Sequence, residues 1–405
     1  MRIRPVVMTI AGSDSSGGAG LQADLKTFTS LGVFGTTVIT GLTAQNTTGV
    51  KKVLEVPVDF VEAQFDAIME DFDIKFAKTG MLASNKIIEV VKRKILEYGI
   101  KLVLDPVMIS KAGSPLTTED ITKSLLELAR NSIIITPNSY EAERLTGEKI
   151  TDKESLIKVA KKLTEITGCN AVVKGGERLK GLDIAVVDND IVELSGKFVD
   201  TRNSHGSGDV FSASLTAYLA KGYSLKDSIR MAKDFTANSL IYSLDMGKGV
   251  GPVDSFAAIE RVYELGQGLI EISNFIELIK EKYTKTLEAY LTADEKGNIG
   301  FKSSYGDVIS LSDGLSLDDK QLKVNGTLKI NINNIIADTL KLSNRKVGIS
   351  LPLSIKISRL IDKHLVQLTE SGLNGNGIIK GSFIVITSND FNQLLELLQK
   401  GENNE

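Results

Sequence analysis

Cysteine, histidine, clustered positive charge and long apolar runs are all scarce in this 405-residue chain, and each shortage excludes a class of protein. The single cysteine, Cys169, precludes an intrachain disulfide and reads as inert packing. Two histidines, His205 and His364, are too few for a Cys/His zinc constellation. The net charge of −3 comes without a basic stripe, which speaks against nucleic acid as the principal partner. No apolar run reaches the ~18 residues of a membrane span. Arg2, Arg4 and the short run Val6-Val7-Met8 have the order of a signal peptide, but the run ends at Thr9 and suits a first strand better. No GxxxxGK[ST] occurs, so a P-loop nucleotide site is disfavoured. What remains is a soluble globular chain, 42 % hydrophobic and long enough for two or more domains, with the balance of a cytoplasmic protein.

Against these absences stands a regular alternation. Apolar, β-branched runs recur and end in residues capable of chemistry. Val6–Ala11 runs into Gly12-Ser13-Asp14-Ser15-Ser16-Gly17-Gly18, and Thr36–Thr43 into Ala44-Gln45-Asn46. Ile74–Ala77 leads to Lys78-Thr79-Gly80-Met81, Leu102–Leu104 to Asp105-Pro106-Val107, Ile133–Thr136 to Pro137-Asn138, and Ala171–Val173 to Lys174-Gly175-Gly176. Between them, spacing near 3.6 predicts helices at Leu21–Leu31, Phe60–Asp71, Asn85–Tyr98 and Leu156–Ile166. Strand and helix alternating in this way predict an α/β fold, a mostly parallel sheet with helices on both faces. Ligands of such sheets bind at the carboxyl ends of the strands, where these polar motifs fall.

The stretch TRNSHGSGDVFSA, residues 201 to 213, places Gly206, Ser207, Gly208 and Asp209 where a loop becomes an amphipathic helix. A helix start offers unpaired N–H groups and a positive dipole end, and glycine lets a phosphate come close. Asp209 adds a carboxylate able to take the proton of an attacking hydroxyl. A tight turn with Asp209 as a helix cap accounts for the same residues.

The segments TIAGSDSSGGAGLQADLKTF, ITGLTAQNTTGV, KTGML, VLDPVM, ITPNSYEAERLTG, VVKGG and HGSGDVFSASLTAYLAKG resemble the hydroxymethylpyrimidine and phosphomethylpyrimidine kinases of thiamine biosynthesis, within the ribokinase-like superfamily. The resemblance runs from about residue 5 to 255. It implies ATP-dependent phosphorylation of 4-amino-5-hydroxymethyl-2-methylpyrimidine and then of its monophosphate. It places a pyrimidine site on Gly12, Asp24, Gln45, Met81 and Val107. The nucleotide side falls on Asp105, Asn138, Glu141 and Lys174, with Asp105 and Glu141 organising Mg2+ through water. Taken singly, each has a plainer reading: Met81 as core, Asp24 as a solvated first-turn acid, Gln45 as loop, Asn138 as a cap, Glu141 as a surface acid, and His205 as a turn residue or a phosphate ligand. Asp209 stands where the pyrimidine kinases usually carry cysteine and the wider sugar and nucleoside kinases carry aspartate. A vitamin B6 kinase of the same superfamily is the competing enzyme. A non-catalytic relative is expected to lose Asp209 or the turn glycines, and both are present. The superfamily resemblance also implies a homo-oligomer.

Residues 1–265 read as the kinase domain, closing with Gly247-Lys248-Gly249-Val250-Gly251-Pro252-Val253 and a helix Asp254–Leu265, and Gly266-Gln267-Gly268 as a hinge. Residues 268–405 read as a smaller α+β domain, with helices Phe275–Leu287, around Leu353–Leu365 and Asp390–Lys400, and strand-like runs Ile299–Lys302, Val308–Leu311 and Gln321–Ile332. Some archaeal and bacterial pyrimidine kinases are fused to a thiamine-phosphate synthase domain of the ThiN type, and this segment is compared with it. Its anion-binding candidates are Arg345, Lys346, Arg359, Lys363 and His364, which as a solvated helix face would equally suit a ligand-sensing or dimerising domain.

Overall fold

The computed structural model describes residues 4–109, 119–196, 198–288, 290–291, 296–353, 357, 360–361, 366–368, 377–380 and 382–402. They fall into two compact units, Met1–Ala258 and Ile259–Glu405. No helix among the described residues is long and apolar enough to cross a membrane.

In chain order the first unit contains β1 (Val6–Asp14), α1 (Gly20–Ser30), β2 (Phe34–Asn46), β3 (Gly49–Glu55), α2 (Val58–Met69), β4 (Phe76–Thr79), α3 (Asn85–Glu97), β5 (Lys101–Leu104), α4 (Thr122–Ala129), β6 (Ile134–Ile135), α5 (Ser139–Thr146), α6 (Lys153–Thr167), β7 (Asn170–Lys174), β8 (Asp183–Val187), β9 (Asp190–Leu194), α7 (Ser207–Ala220) and α8 (Leu225–Ile241). The strands form one sheet in the order β3-β2-β1-β4-β5-β6-β7-β8-β9. From β2 to β7 every neighbour is parallel. Both edges are antiparallel, β3 on β2 at one side and the β8–β9 hairpin on β7 at the other. The hairpin was missed in the sequence reading although its signal is short and clear. Asp188 and Asn189 both take positive φ (52° and 68°), the two-residue loop that matches the twist of paired strands.

The period-2 alternation of the strands sorts the helices onto the two faces. Met8, Ile10, Leu102, Leu104, Ala171 and Val173 point to a layer containing Phe65 of α2, Ile87 and Ile95 of α3, Leu125 of α4, Leu145 of α5 and Leu163 of α6. Their neighbours Val7, Val103 and Val172 point the other way, to Phe28 of α1, Phe211, Leu215 and Ala217 of α7, and Ile229 of α8. Helix α7 is the most enclosed of these, buried continuously from Val210 to Leu219. Its sequence VFSASLTAYL has no charge, as an all-round buried helix requires. Its hydroxyls turn inward to the helix, Ser214 Oγ donating to Phe211 O (3.0 Å) and Thr216 Oγ1 to Ser212 O (2.8 Å), so no polar group is stranded there.

The second unit carries a six-stranded sheet in which every described pairing is antiparallel. It begins with α9 (Ala257–Lys282), which corrects the expected hinge and the two expected helices Asp254–Leu265 and Phe275–Leu287. Gly266-Gln267-Gly268 lies inside this unbroken helix. The glycine at 268 serves packing: a Cβ there would meet Phe301 Cδ1 at 2.4 Å. The run Gln321–Ile332 is likewise two strands, Gln321–Val324 and Leu328–Ile330, parted by Gly326 at φ +74°. Lys346 is engaged by its neighbours, over the Phe301 ring (4.9 Å to its centre) and 3.7 Å from Glu271 Oε1. Most of the expected helix Leu353–Leu365, with Arg359, Lys363 and His364, lies outside the described residues.

Four apolar clusters are built wholly from the first unit, spanning Val6 to Val253. A chain ending at Ala258 is therefore expected to fold alone, with a single cooperative thermal transition followed by circular dichroism at 222 nm. A broad, non-cooperative melt would show that residues beyond 258 complete the core.

Candidate active site

The carboxyl ends of β1, β4, β5, β6 and β7 open on a cavity of about 800 Å3. It is lined by Gly12, Gln45, Met81 and Val107, and also by Asp105, Asn138, Glu141, Lys174 and the turn Gly206-Ser207-Gly208-Asp209. Of the residues expected at the site, Asp24 alone is not in the wall. It is fully buried on α1, where Oδ2 accepts from Thr9 Oγ1 (2.6 Å) and Oδ1 from Lys78 Nζ (2.8 Å). Both oxygens being engaged by the protein, Asp24 is an internal counterion.

The turn at 206 exists because of two glycines packed backbone to backbone. Gly206 takes φ +81°, and a Cβ on it would lie 2.0 Å from the Gly18 carbonyl oxygen. No side chain caps α7; Ser207 N donates to Ser204 O (3.3 Å), and the amides of Gly208 and Asp209 are the first-turn donors without a side-chain acceptor. Gly208 brings that backbone to within reach of Lys174, a Cβ there lying 3.5 Å from its Nζ. The partner loop, residues 14–20, is tied down by Asp14. Its carboxylate accepts from Ser16 N and Oγ (both 2.8 Å), Ala19 N (2.9 Å) and His205 Nε2 (2.9 Å). Burial pushes the Asp14 carboxyl up, but the hydrogen bonds from His205 and Ser16 outweigh it and hold the group below its ordinary range. His205 is thus an internal clamp, and its Nε2 also lies 3.2 Å from the Gln45 amide. On the pyrimidine side, Met81 lies against the bare Cα of Gly12, where a Cβ would meet its Cε at 2.5 Å.

At the carboxyl end of β6, Asn138 and Glu141 cap α5 reciprocally. Asn138 N donates to Glu141 Oε2 (2.9 Å), and Glu141 N to Asn138 Oδ1 (3.0 Å). Glu141 is buried, not a surface acid; burial first, and then the Asp105 charge, push its carboxyl up to about 8 against the pull of Lys174. Asp105 is also raised by burial, with Lys174 Nζ 3.6 Å from Oδ1 and Ser212 Oγ donating to Oδ2 (3.1 Å). Burial pushes both acids toward their neutral forms, and a hydrated divalent cation would favour the ionised ones. Among the described residues no group of three or more His, Cys, Asp or Glu side chains is placed to grip an ion directly. This donor set suits Mg2+, which keeps its waters and uses one or two carboxylates alongside phosphate.

Asp14 in the cavity wall, and Lys78 and Thr9 behind it, have no assigned role in the sequence expectations. A signal was available for Lys78: a lysine in the strand FAKT, flanked by buried positions, needs a carboxylate partner in the fold. Its ammonium is fully buried between Asp24 Oδ1 (2.8 Å) and Asp209 Oδ1 (3.3 Å). Burial alone would lower its pKa, but the carboxylates of Asp24, Asp209 and Asp105 reverse the sign and raise it. Burial pushes the Asp24 carboxyl upward, and the charge and hydrogen bond of Lys78 oppose that rise.

The depressed Asp14 carboxyl makes a pH prediction. A group held below its unfolded value stabilises the fold above that value and loses the effect as pH falls through the folded one. Asp14→Asn is expected to cost about 1–3 kcal/mol at neutral pH, as for a hydrogen-bonded charge. In urea unfolding the gap to the parent should narrow as pH drops below the ordinary Asp value of 3.8. A pH-independent gap would mean that the loop is held by shape alone.

Comparison with known proteins places this architecture. A family model described as phosphomethylpyrimidine kinase matches residues 14–254. The hydroxymethylpyrimidine/phosphomethylpyrimidine kinase of Haemophilus influenzae is 43 % identical over 263 residues, covering 62 % of this chain and 96 % of the relative. Among solved structures, an ADP complex of Bacillus subtilis pyridoxal kinase is similar with a TM-score of 0.59 and 34 % identity, covering 64 % of this chain and all of that one. Phosphomethylpyrimidine kinase from Clostridium difficile is similar with a TM-score of 0.52 and 36 % identity, covering 58 % of this chain and 98 % of its own. The family match ends at residue 254, so the comparison of residues 268–405 with a ThiN-type synthase gains no support from it. Because the match takes in over half of the sequence, on a ribokinase-like α/β fold with a glycine turn beside its strand ends, the chain belongs to the phosphomethylpyrimidine kinase family.

Proposed function

We propose that the chain phosphorylates 4-amino-5-hydroxymethyl-2-methylpyrimidine and then its monophosphate with ATP, in thiamine diphosphate synthesis. The observation that carries this is the meeting of two half-sites in one cavity. Gly12, Gln45, Met81 and Val107 form a small polar-and-apolar pocket, and the uncapped start of α7, Lys174 and the buried acids form a polyphosphate site beside it. Asp209, in the first turn of α7, stands between them with its side chain 14 % exposed. In the first transfer the acceptor hydroxyl oxygen bonds to the γ-phosphorus, the bond from that phosphorus to the ADP oxygen breaks, and the hydroxyl proton passes to Asp209; in the second the nucleophile is an ionised phosphate oxygen of the monophosphate, which forms and breaks the corresponding bonds without a proton to remove. The first-turn amides and Lys174 stabilise charge on the phosphoryl oxygens. Mg2+, held through water by Asp105 and Glu141, would supply further neutralisation of the phosphates. Aspartate in place of the family's usual cysteine preserves this route, since a carboxylate suffices as acceptor of a hydroxyl proton. The superfamily resemblance extends the proposal to a homo-oligomer in the cytoplasm.

The likeness to pyridoxal kinase structures favours one second reading, a vitamin B6 kinase. A coupled ADP-release assay with the pyrimidine, its monophosphate, pyridoxal and ribose in parallel separates the two, and dominant turnover of pyridoxal would overturn the proposal.

Asp209→Asn is expected to lower kcat by roughly 10² to 10⁴ while ATP affinity stays within a few-fold, because the base is lost and the helix start is kept. Near-parental turnover would reduce Asp209 to a helix-start residue. Gln45→Ala is expected to weaken the pyrimidine by about 1–3 kcal/mol with little effect on ATP, through loss of a hydrogen-bonding partner for the ring. Equal losses for both ligands, read from their KM values, would place Gln45 in the scaffold.

A further inference from the structure

We propose that Lys78 is a positioning residue for phosphoryl transfer: clamped by Asp24 from behind, its ammonium holds the Asp209 carboxylate at the angle from which it meets the acceptor hydroxyl. The inference rests on the reading of Asp209 as the proton acceptor. Lys78 sits at the third position of β4 and is wholly buried, as is Asp24. A lysine stem is flexible and its charge is costly to bury, so a single conformation requires partners. Two of its hydrogens point at Asp24 Oδ1 (2.8 Å) and Asp209 Oδ1 (3.3 Å). Thr9 Oγ1 donates to Asp24 Oδ2 (2.6 Å), which fixes the rear of the chain. Gly80 lies beside the pair: a Cβ there would be tight against Ala11 Cβ (3.0 Å) and would stand at ordinary contact distance from Lys78 Nζ (3.5 Å) and Asp209 Oδ1 (3.6 Å). Asp209 is thus met at one oxygen by a buried donor with a second carboxylate partner, while its side chain lines the cavity.

The second carboxylate has a physical role in this arrangement. When Asp209 takes the hydroxyl proton its charge is cancelled, and a buried ammonium paired with it alone would be left uncompensated. Asp24 remains as counterion through the proton transfer, so the charge change at Asp209 does not strand Lys78. This accounts for an aspartate that lies beside the site and yet is closed to ligands. The charged groups that face Asp209 are Lys78 from β4, Asp24 from α1 and Asp105 beyond β5.

The test compares Lys78→Met, Asp24→Asn, Asp209→Asn and the double variants of the full chain, by steady-state kinetics and by titration with a non-hydrolysable ATP analogue. Lys78→Met is expected to lower kcat by about 10²-fold, the scale of a misplaced reacting group, with analogue affinity changed by less than about threefold. The acid limb of its kcat/KM profile should move to higher pH, because removing the ammonium favours the protonated base. In Asp24→Asn it should move the other way, since the ammonium is then undivided. Adding Lys78→Met to Asp209→Asn should cost little more than Asp209→Asn alone. Should Lys78→Met fail to fold, Lys78→Met with Asp24→Asn removes the ion pair as a unit, and the same loss in kcat with retained analogue binding is expected. Parental kcat and pH profile in a folded Lys78 variant, or losses that multiply fully with Asp209→Asn, would overturn the proposal. A near-parental Asp209→Asn would instead remove the base reading itself, whereas an inactive Asp209→Asn beside a fully active Lys78→Met would remove only the positioning role.

Discussion

A contact with no room for a methyl group governs the site: the α-carbon of Gly206 against the carbonyl of Gly18. A Cβ at 206 would lie 2.0 Å from that oxygen. The contact joins two loops that are far apart in sequence, one following β1 and the other leading into α7. It sets the distance between the pyrimidine-side residues and the amides at the helix start. Asp14 and His205 make the same junction a second time, through side chains. Because α7 is buried along nearly its whole length, it cannot shift to relieve a misfit at its first residue. The position of the anion turn is therefore inherited from the core.

Around that junction the cavity wall and the shell behind it are organised by charge. Lys78 lies between Asp24 and Asp209, Lys174 beside Asp105 and Glu141, and Lys233 on Asp183 with Nζ 2.5 Å from Oδ2. Each buried or half-buried ammonium is met by a carboxylate, as desolvation demands. The balance is uneven, however. Burial above all pushes Asp105 and Glu141 up, with Lys174 opposing it, whereas Lys78 is bonded to Asp24 behind and Asp209 in front. The first suits recruitment of cation and phosphate; the second suits the holding of a single carboxylate.

Much of the first unit was legible because its signals are local. The alternation of Met8 and Ile10 against Val7, or of Leu102 and Leu104 against Val103, is a period that declares a two-faced strand. The motifs at the strand ends follow from the same count. The β8–β9 hairpin and the antiparallel edge β3 show no such period, since β8 is buried throughout and β3 and β9 are mostly exposed; the hairpin's signal lies in the turn Asp188-Asn189 instead. In the second unit the glycines at 266 and 268 looked like a hinge, because a glycine that admits a phenylalanine ring and a glycine that admits a bend have the same sequence. Residues 353–365 contribute nothing to this comparison beyond Leu353, Ile357 and the pair Leu360–Ile361.

By itself the sequence determined the sheet, the strand ends at which the polar motifs gather, and the glycine turn at the head of α7, all of which depend on residues close together in the chain or on their period. Only the tertiary structure decided how the charges are paired. Nothing local in the chain distinguishes Asp24 from Asp209, or says that Lys78, between 54 and 131 residues away from them, will join the two. One carboxylate became an internal counterion and the other a cavity residue because packing closed solvent off from Asp24 and left a path to Asp209. That exposure is a property of the assembled core and has no signature in either residue's neighbours.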